Sequence, residues 1–171
     1  MSFFNIVAAT NEDTVVATYE PSKVRSDSYQ SEAELEKEFI RLLCEQGYTY
    51  LPLHTEDELI ANLRSQLEEL NHYHFSDTEW RQFFSDVIAN PNEHIPEKTR
   101  KIQDWEESKQ VLHRDDGSSK NITLIDKKNI HNNRLQVINQ YEVKQADGAR
   151  HDNRYDVTIL VNGFPLVHVE L

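Results

Sequence analysis

The chain changes its hydrophobic period once. Between residues 31 and 89, apolar side chains recur every three or four positions, the spacing of helices with one buried face. From about residue 109 they gather into short β-rich runs or alternate, as strands do. Three helices are predicted. The first covers 31–46, with Leu35, Phe39, Leu42 and Leu43 inward. The second covers 56–70, with Leu59, Ile60, Leu63, Leu67 and Leu70 inward. The third covers 77–89, with Trp80, Phe83, Phe84, Val87 and Ile88 inward. Each opens on a hydroxyl followed three residues later by a glutamate: Ser31 and Glu34, Thr55 and Glu58, Ser76 and Glu79. In this capping box the two side chains satisfy orphan N–H groups reciprocally. Gly47 stops the first helix and Asn90-Pro91 the third; a short helix follows Pro96.

Strands are predicted over 109–114, 122–126 and 134–143, with turns at Asp115-Asp116-Gly117 and Asp147-Gly148. The chain closes on two β-rich runs, within 153–171, that flank Asn162-Gly163, the strongest short-range hairpin signal. Residues 1–28 show no sustained period; 15–19 reads as a short strand and 21–28 as a loop. Helices first and strands later predict an α+β fold, a sheet with helices on one face or end.

The 171 residues suit one domain with a real core. Charged residues make up 28% and mean hydropathy is −0.72, so the surface is well solvated. No apolar run approaches the roughly 20 residues of a membrane helix. Phe3-Phe4-Asn5-Ile6-Val7 is too short for a signal peptide's apolar core, which fits a cytoplasmic location. A single cysteine, Cys44, excludes an internal disulfide and a zinc knuckle. The net charge of −12 opposes free-standing DNA binding, because neutralising phosphates drives non-specific affinity.

Two acids in the closing hairpin carry the candidate chemistry. Asp156 opens a run of Val, Thr and Ile where strands disfavour aspartate, and Glu170 follows fourteen positions later. Two carboxylates on paired strands can hold a divalent cation through hard oxygens. A strict two-residue loop pairs Val161 with Phe164 and puts the two acids on opposite faces. A shared site therefore requires an odd loop or a bulge between them. Pro165, which cannot donate to a ladder, makes an irregularity plausible.

Asp156 with Glu170 inside Val-His-Val-Glu-Leu is similar to the PD-(D/E)xK nuclease signature. More text agrees: Tyr29-Gln30-Ser31-Glu32, Lys98-Thr99-Arg100-Lys101-Ile102, Leu124-Ile125-Asp126-Lys127-Lys128-Asn129, and Asn153 through Gly163. Together these motifs resemble the N-terminal nuclease domain of the type I restriction endonuclease R (HsdR, motor) subunit over about 27–171. The resemblance implies a PD-(D/E)xK-like core over 29–171, behind an extension of 1–28. It also implies a parent protein with an ATP-driven DNA translocase and docking regions for methyltransferase and specificity subunits. The residues here contain no Gly-x-x-x-x-Gly-Lys-[ST] phosphate loop, so ATP belongs to the parent protein.

Carried over by position, Asp156 and Glu170 are metal ligands and catalytic acids, and the Leu171 backbone carbonyl is a third ligand. Mg²⁺ would polarise the scissile phosphate and acidify a bound water, whose attack leaves a 5′-phosphate. The motif lysine falls one residue past Leu171, so the chain reads as cut short of the full sheet. Mg²⁺ binding is expected to be weak and DNA cleavage absent for these residues alone. Glu32 is a candidate first-helix ligand, with Glu36 on the same face at i, i+4; the helix dipole equally explains acids there. Lys127, Lys128, Arg134 and Arg154 are candidate phosphate contacts, or protection for a sheet edge. His72-x-His74 lacks a nearby third ligand, and the Trp80, Phe83 and Phe84 stripe reads as core. Two other readings stay open: a non-catalytic module that docks the motor or partner subunits, and an acidic decoy that mimics DNA.

Overall fold

The structure, a computed structural model, describes residues 3–9, 15–20, 31–104, 109–143 and 153–171. The chain divides into two units, Met1–Ser31 and Glu32–Leu171. In the first, β1 (Phe3–Ala9) pairs antiparallel with β2 (Val15–Glu20), with a bulge between Ile6 and Ala8. The predicted strand at 15–19 lies in β2, while β1 carries no periodicity that announced it. The predicted loop at 21–28 lies outside the described residues.

The second unit is α+β. Its elements run α1 (Glu32–Glu45), β3 (Thr49–Tyr50), α2 (Glu56–Asn71), α3 (Asp77–Phe83), α4 (Ile95–Gln103), β4 (Lys109–His113), β5 (Ser119–Thr123), β6 (Leu135–Val143), β7 (Asn153–Val161) and β8 (Phe164–Val169). The main sheet has the order β3-β6-β7-β8. β3 runs parallel to β6, and the other neighbours are antiparallel. β4 and β5 form a separate hairpin.

Alternation along the strands sends side chains to two helical layers. Val137, Val157 and Ile159 pack with Leu43, Phe39 and Ile40 of α1. Ile138 and Leu160, one residue out of phase, pack with Leu59 of α2. The helices therefore cover both faces of the sheet, not the one face or end that element order predicts. The strand text explains why: Val137-Ile138 and Val157 through Leu160 are apolar at consecutive positions, as in strands buried on both sides. The largest core joins α2 and α3 to the β4–β5 hairpin through Leu63, Leu67, Phe75, Trp80, Phe83, Leu112 and Ile122.

Local signals hold with three adjustments. The Thr55–Glu58 and Ser76–Glu79 capping boxes are both formed. On α1, Leu35 and Leu42 stand about 40% exposed, and Phe39, Ile40 and Leu43 face the sheet instead. All four predicted stripe positions are leucine or phenylalanine, and the buried arc is rotated toward Ile40. The third helix also changes pitch: α3 is followed by a π-turn over Phe84–Ile88. The second predicted strand sits three residues earlier, because the β4–β5 turn is tight and Lys109 pairs with Thr123.

Glu79 does more than cap its helix. It is buried and accepts hydrogen bonds from Ser76 N–H, Tyr73 O–H and Asp115 N–H, at 3.0, 2.8 and 3.2 Å. Burial pushes its carboxyl up, but those donors and the nearby Arg114 charge outweigh it and hold the carboxyl below its ordinary 4.5. The folded state thus favours the ionised form. Stability from this group is complete above 4.5 and is lost as pH falls below it toward the folded value. Glu79→Gln should flatten the acid limb of a stability–pH curve measured by denaturant unfolding. Glu79→Ala, which orphans three donors, should cost about 2 to 3 kcal/mol at neutral pH.

The β7–β8 turn is the tightest joint. Asn162 and Gly163 both have positive φ, 50° and 83°, as a two-residue primed turn requires. A Cβ at Gly163 would lie 2.6 Å from the Leu63 Cα. Gly163→Ala should therefore destabilise by clearly more than about 1 kcal/mol, read as a lower unfolding midpoint. A cost within a few tenths would show that α2 yields there.

Candidate metal centre

The hairpin that carries Asp156 and Glu170 has a regular turn and an irregular strand. Val161 pairs with Phe164 and Leu160 with Pro165; then the register shifts, and Ile159 pairs with Val167, Thr158 with His168 and Val157 with Val169. Leu166 is the extra residue. This is the bulge that a shared site requires, in the strand beside Pro165 and not in the loop. Without it Asp156 would stand level with Val169. With it, the register carried one residue past Val157–Val169, the last paired rung, would set Glu170 opposite Asp156. β8 ends at Val169, and beyond it Leu171 N–H donates to Asp156 Oδ2 at 2.8 Å. Asp156 is half-buried, while Glu170 and Leu171 are exposed.

Asp156 occupies an unusual rung. On β6, Ile138 and Tyr141 both belong to the α2-side cluster although they are three residues apart. Alternation therefore slips once between them. Gln140 supplies the slip with a left-handed φ of 54°, uncommon for a residue with a side chain and worth about 1–3 kcal/mol of strain. The pairs Asn139–Val157 and Tyr141–Tyr155 flank this position, so Gln140 faces Asp156. The aspartate that strand propensity disfavours thus sits where the ladder is already interrupted.

Glu36 of α1 reaches the same rung. It is buried and accepts from Asn139 Nδ2 at 2.5 Å and Gln140 Nε2 at 3.2 Å. Tyr50 O–H donates to Asn139 Oδ1 at 2.9 Å, which links β3 into the chain of contacts. Glu32, one turn earlier on α1, is exposed. Helical spacing places both acids on one stripe; which of them meets the sheet depends on the rotation of α1, and the exposed Leu35 and Leu42 record that rotation.

Beside the acids lies a ring pair that sequence reasoning missed. Tyr155 stacks on His168, with centroids 4.0 Å apart and planes 17° from parallel. His168 Nδ1 lies 2.9 Å from the buried Thr158 hydroxyl. Burial pushes the imidazole below its ordinary 6.5, and the Glu170 charge opposes that shift, so the two side chains are within electrostatic reach. A histidine two residues before a candidate acid is the signal that was available.

The predicted phosphate contacts sit in different settings. Lys127 is half-buried, with no hydrogen-bond partner for its ammonium among the described residues, and Lys128 is exposed. Arg134 is exposed and paired with Glu69 at 2.5 Å. The Arg154 side chain lies outside the described residues. His74 pairs with Glu68, and Trp80 and Phe83 are core, as expected.

Among the described residues, no three His, Cys, Asp or Glu side chains converge as a metal cage. Two carboxylates, one of them oriented by the Leu171 backbone N–H, offer the hard oxygens that Mg²⁺ takes together with its waters and substrate phosphate.

Comparison with known proteins bears on the family. The family described as type I restriction enzyme R protein N terminus matches residues 29–171. The type I restriction enzyme EcoprrI endonuclease subunit of Escherichia coli is 45% identical over 166 residues, covering 96% of this chain and 51% of that protein. The SsaAORF53P endonuclease subunit of Staphylococcus saprophyticus is 35% identical over 148 residues, covering 84% of this chain and 15% of that protein. A Staphylococcus aureus subunit, SauMSSORF170P, is 35% identical over 149 residues, with the same shares. The chain thus spans from about half down to 15% of the length of these relatives. With a family match over 29–171, this chain belongs to the type I restriction enzyme R protein N-terminal family.

Proposed function

We propose that this chain is the DNA-cutting domain of a type I restriction enzyme's R subunit. The observation that carries the reading is the Leu166 bulge, which gives β8 the register that would put Glu170 opposite Asp156. Family membership and the names of the relatives support it. The substrate is the DNA phosphodiester. The partners are methyltransferase and specificity subunits, ATP serves the motor region of the parent protein, and the assembly works in the cytoplasm. Among the described residues no helix is long and apolar enough to cross a membrane.

Asp156 and Glu170 would hold Mg²⁺, with the Leu171 carbonyl as a further oxygen. When bound, the ion neutralises charge on the scissile phosphate and acidifies its water. The protein does the rest by orientation. Leu171 N–H fixes the Asp156 carboxylate through Oδ2. Glu36 holds Gln140 in its left-handed conformation opposite Asp156, which makes Glu36 the α1 acid that supports the centre from beneath. Glu32 stays a candidate at the rim. Lys127, Lys128, Arg134 and Arg154 remain candidates for the DNA backbone. With a net charge of −12, delivery of DNA falls to the other regions and subunits.

The test uses the full-length R subunit assembled with its partners. Asp156→Ala should abolish Mg²⁺-dependent cutting of a plasmid carrying a recognition site, while ATP hydrolysis continues at its normal rate. Unimpaired cutting by this variant would overturn the assignment and favour a docking role for the domain.

A further inference from the structure

His168 has no part in the two-acid centre as described so far, yet its ring is the most firmly placed polar group beside it. Tyr155, the residue before Asp156, covers one face of the imidazole at 4.0 Å. Thr158 engages Nδ1 at 2.9 Å. Thr158 is only 1% exposed, and its hydroxyl shares one hydrogen with the ring nitrogen; where the hydroxyl is the donor, Nδ1 accepts. A ring that accepts at Nδ1 carries its hydrogen on Nε2. His168 itself is exposed, so that second nitrogen has open surface around it.

The ring is also oriented at some cost. A stacked tyrosine and a buried hydroxyl both restrict an edge-strand side chain that would otherwise rotate freely. The two anchors come from β7 on either side of Asp156, at positions 155 and 158. The ring they hold lies two residues before Glu170. An oriented N–H donor on the strand that carries Glu170, stacked on the residue before Asp156, suits an anion that must approach a cation held by those acids, and in this protein's proposed reaction that anion is a DNA phosphate.

We propose that His168 donates from Nε2 to a phosphate oxygen of the DNA strand being cut, with Tyr155 and Thr158 as the residues that position it. The inference rests on the reading of Asp156 and Glu170 given above. It adds a substrate contact that neither acid can make, since carboxylates repel phosphate.

The experiment compares three substitutions at this position in the full-length R subunit within its complex. His168→Phe keeps the ring stack on Tyr155 and removes both nitrogens. His168→Ala removes everything. His168→Gln restores an amide donor near the Nε2 position. Mg²⁺-dependent plasmid cutting is measured alongside ATP hydrolysis, which reports folding and assembly. Loss of one hydrogen bond to a charged acceptor should slow cutting by about ten- to a hundredfold in H168F and H168A. H168Q should recover most of that loss, and ATP hydrolysis should stay level throughout. Normal cutting by H168F would show that only the stack matters and would overturn the proposal. Cutting by H168Q as slow as by H168F would also overturn it. Asp156→Ala is run in parallel: if it cuts normally, the metal-centre reading itself fails, whereas a dead Asp156→Ala beside a normal H168F removes only the His168 contact.

Discussion

Asn162 closes the β7–β8 turn from the inside. Its carboxamide donates to the Leu124 carbonyl at 3.1 Å and to Asn133 Oδ1 at 2.8 Å, and its oxygen accepts from Arg134 N–H at 2.8 Å. Its own N–H reaches the Arg134 carbonyl at 2.9 Å. Both amide hydrogens and the carbonyl oxygen are engaged in a residue that is 1% exposed, where leaving any of them unpaired would cost about 1–3 kcal/mol. Asn133 in turn accepts from Asp126 N–H, so the segment after β5 is tied to the same knot. This network fixes where β7 ends, and β8 is counted from that point. The position of Glu170 relative to Asp156 is therefore set about twenty ångströms of chain away, by a turn that touches neither acid.

Two departures from ideal strand geometry then convert that register into a site. The Leu166 bulge restores the phase that an even-numbered turn would lose. Gln140 breaks the ladder opposite Asp156, and Glu36 ties the broken rung to α1. Each departure costs free energy, and each falls in the stretch where the chemistry is proposed. Among the described residues of the second unit, the π-turn over Phe84–Ile88 is a third departure, and it lies away from the hairpin that carries the acids.

Much of this was legible in the residues. Capping boxes at Thr55 and Ser76, the apolar stripes of α2 and α3, and the Asn-Gly hairpin follow from local chemistry that tertiary packing did not override. The need for an irregularity between the two acids followed from parity alone. Other features depend on which face a partner covers, and no single segment carries that information. The rotation of α1 was misjudged because Leu35 and Leu42 are as apolar as the residues that are buried. β1 and β3 were missed because one lacks alternation and the other is two residues long. The Tyr155–His168 pair was invisible because stacking across strands needs the register to be known first.

The single surplus residue in β8 also governs how this segment can change over time. Replacing Leu166 alters one half-exposed side chain at the sheet's margin. Deleting its codon would rotate every following position by half a turn and send one carboxylate to the far side of the sheet. The hairpin should therefore accumulate amino-acid exchanges at this spot readily, while selection removes frame-preserving gains and losses of one residue.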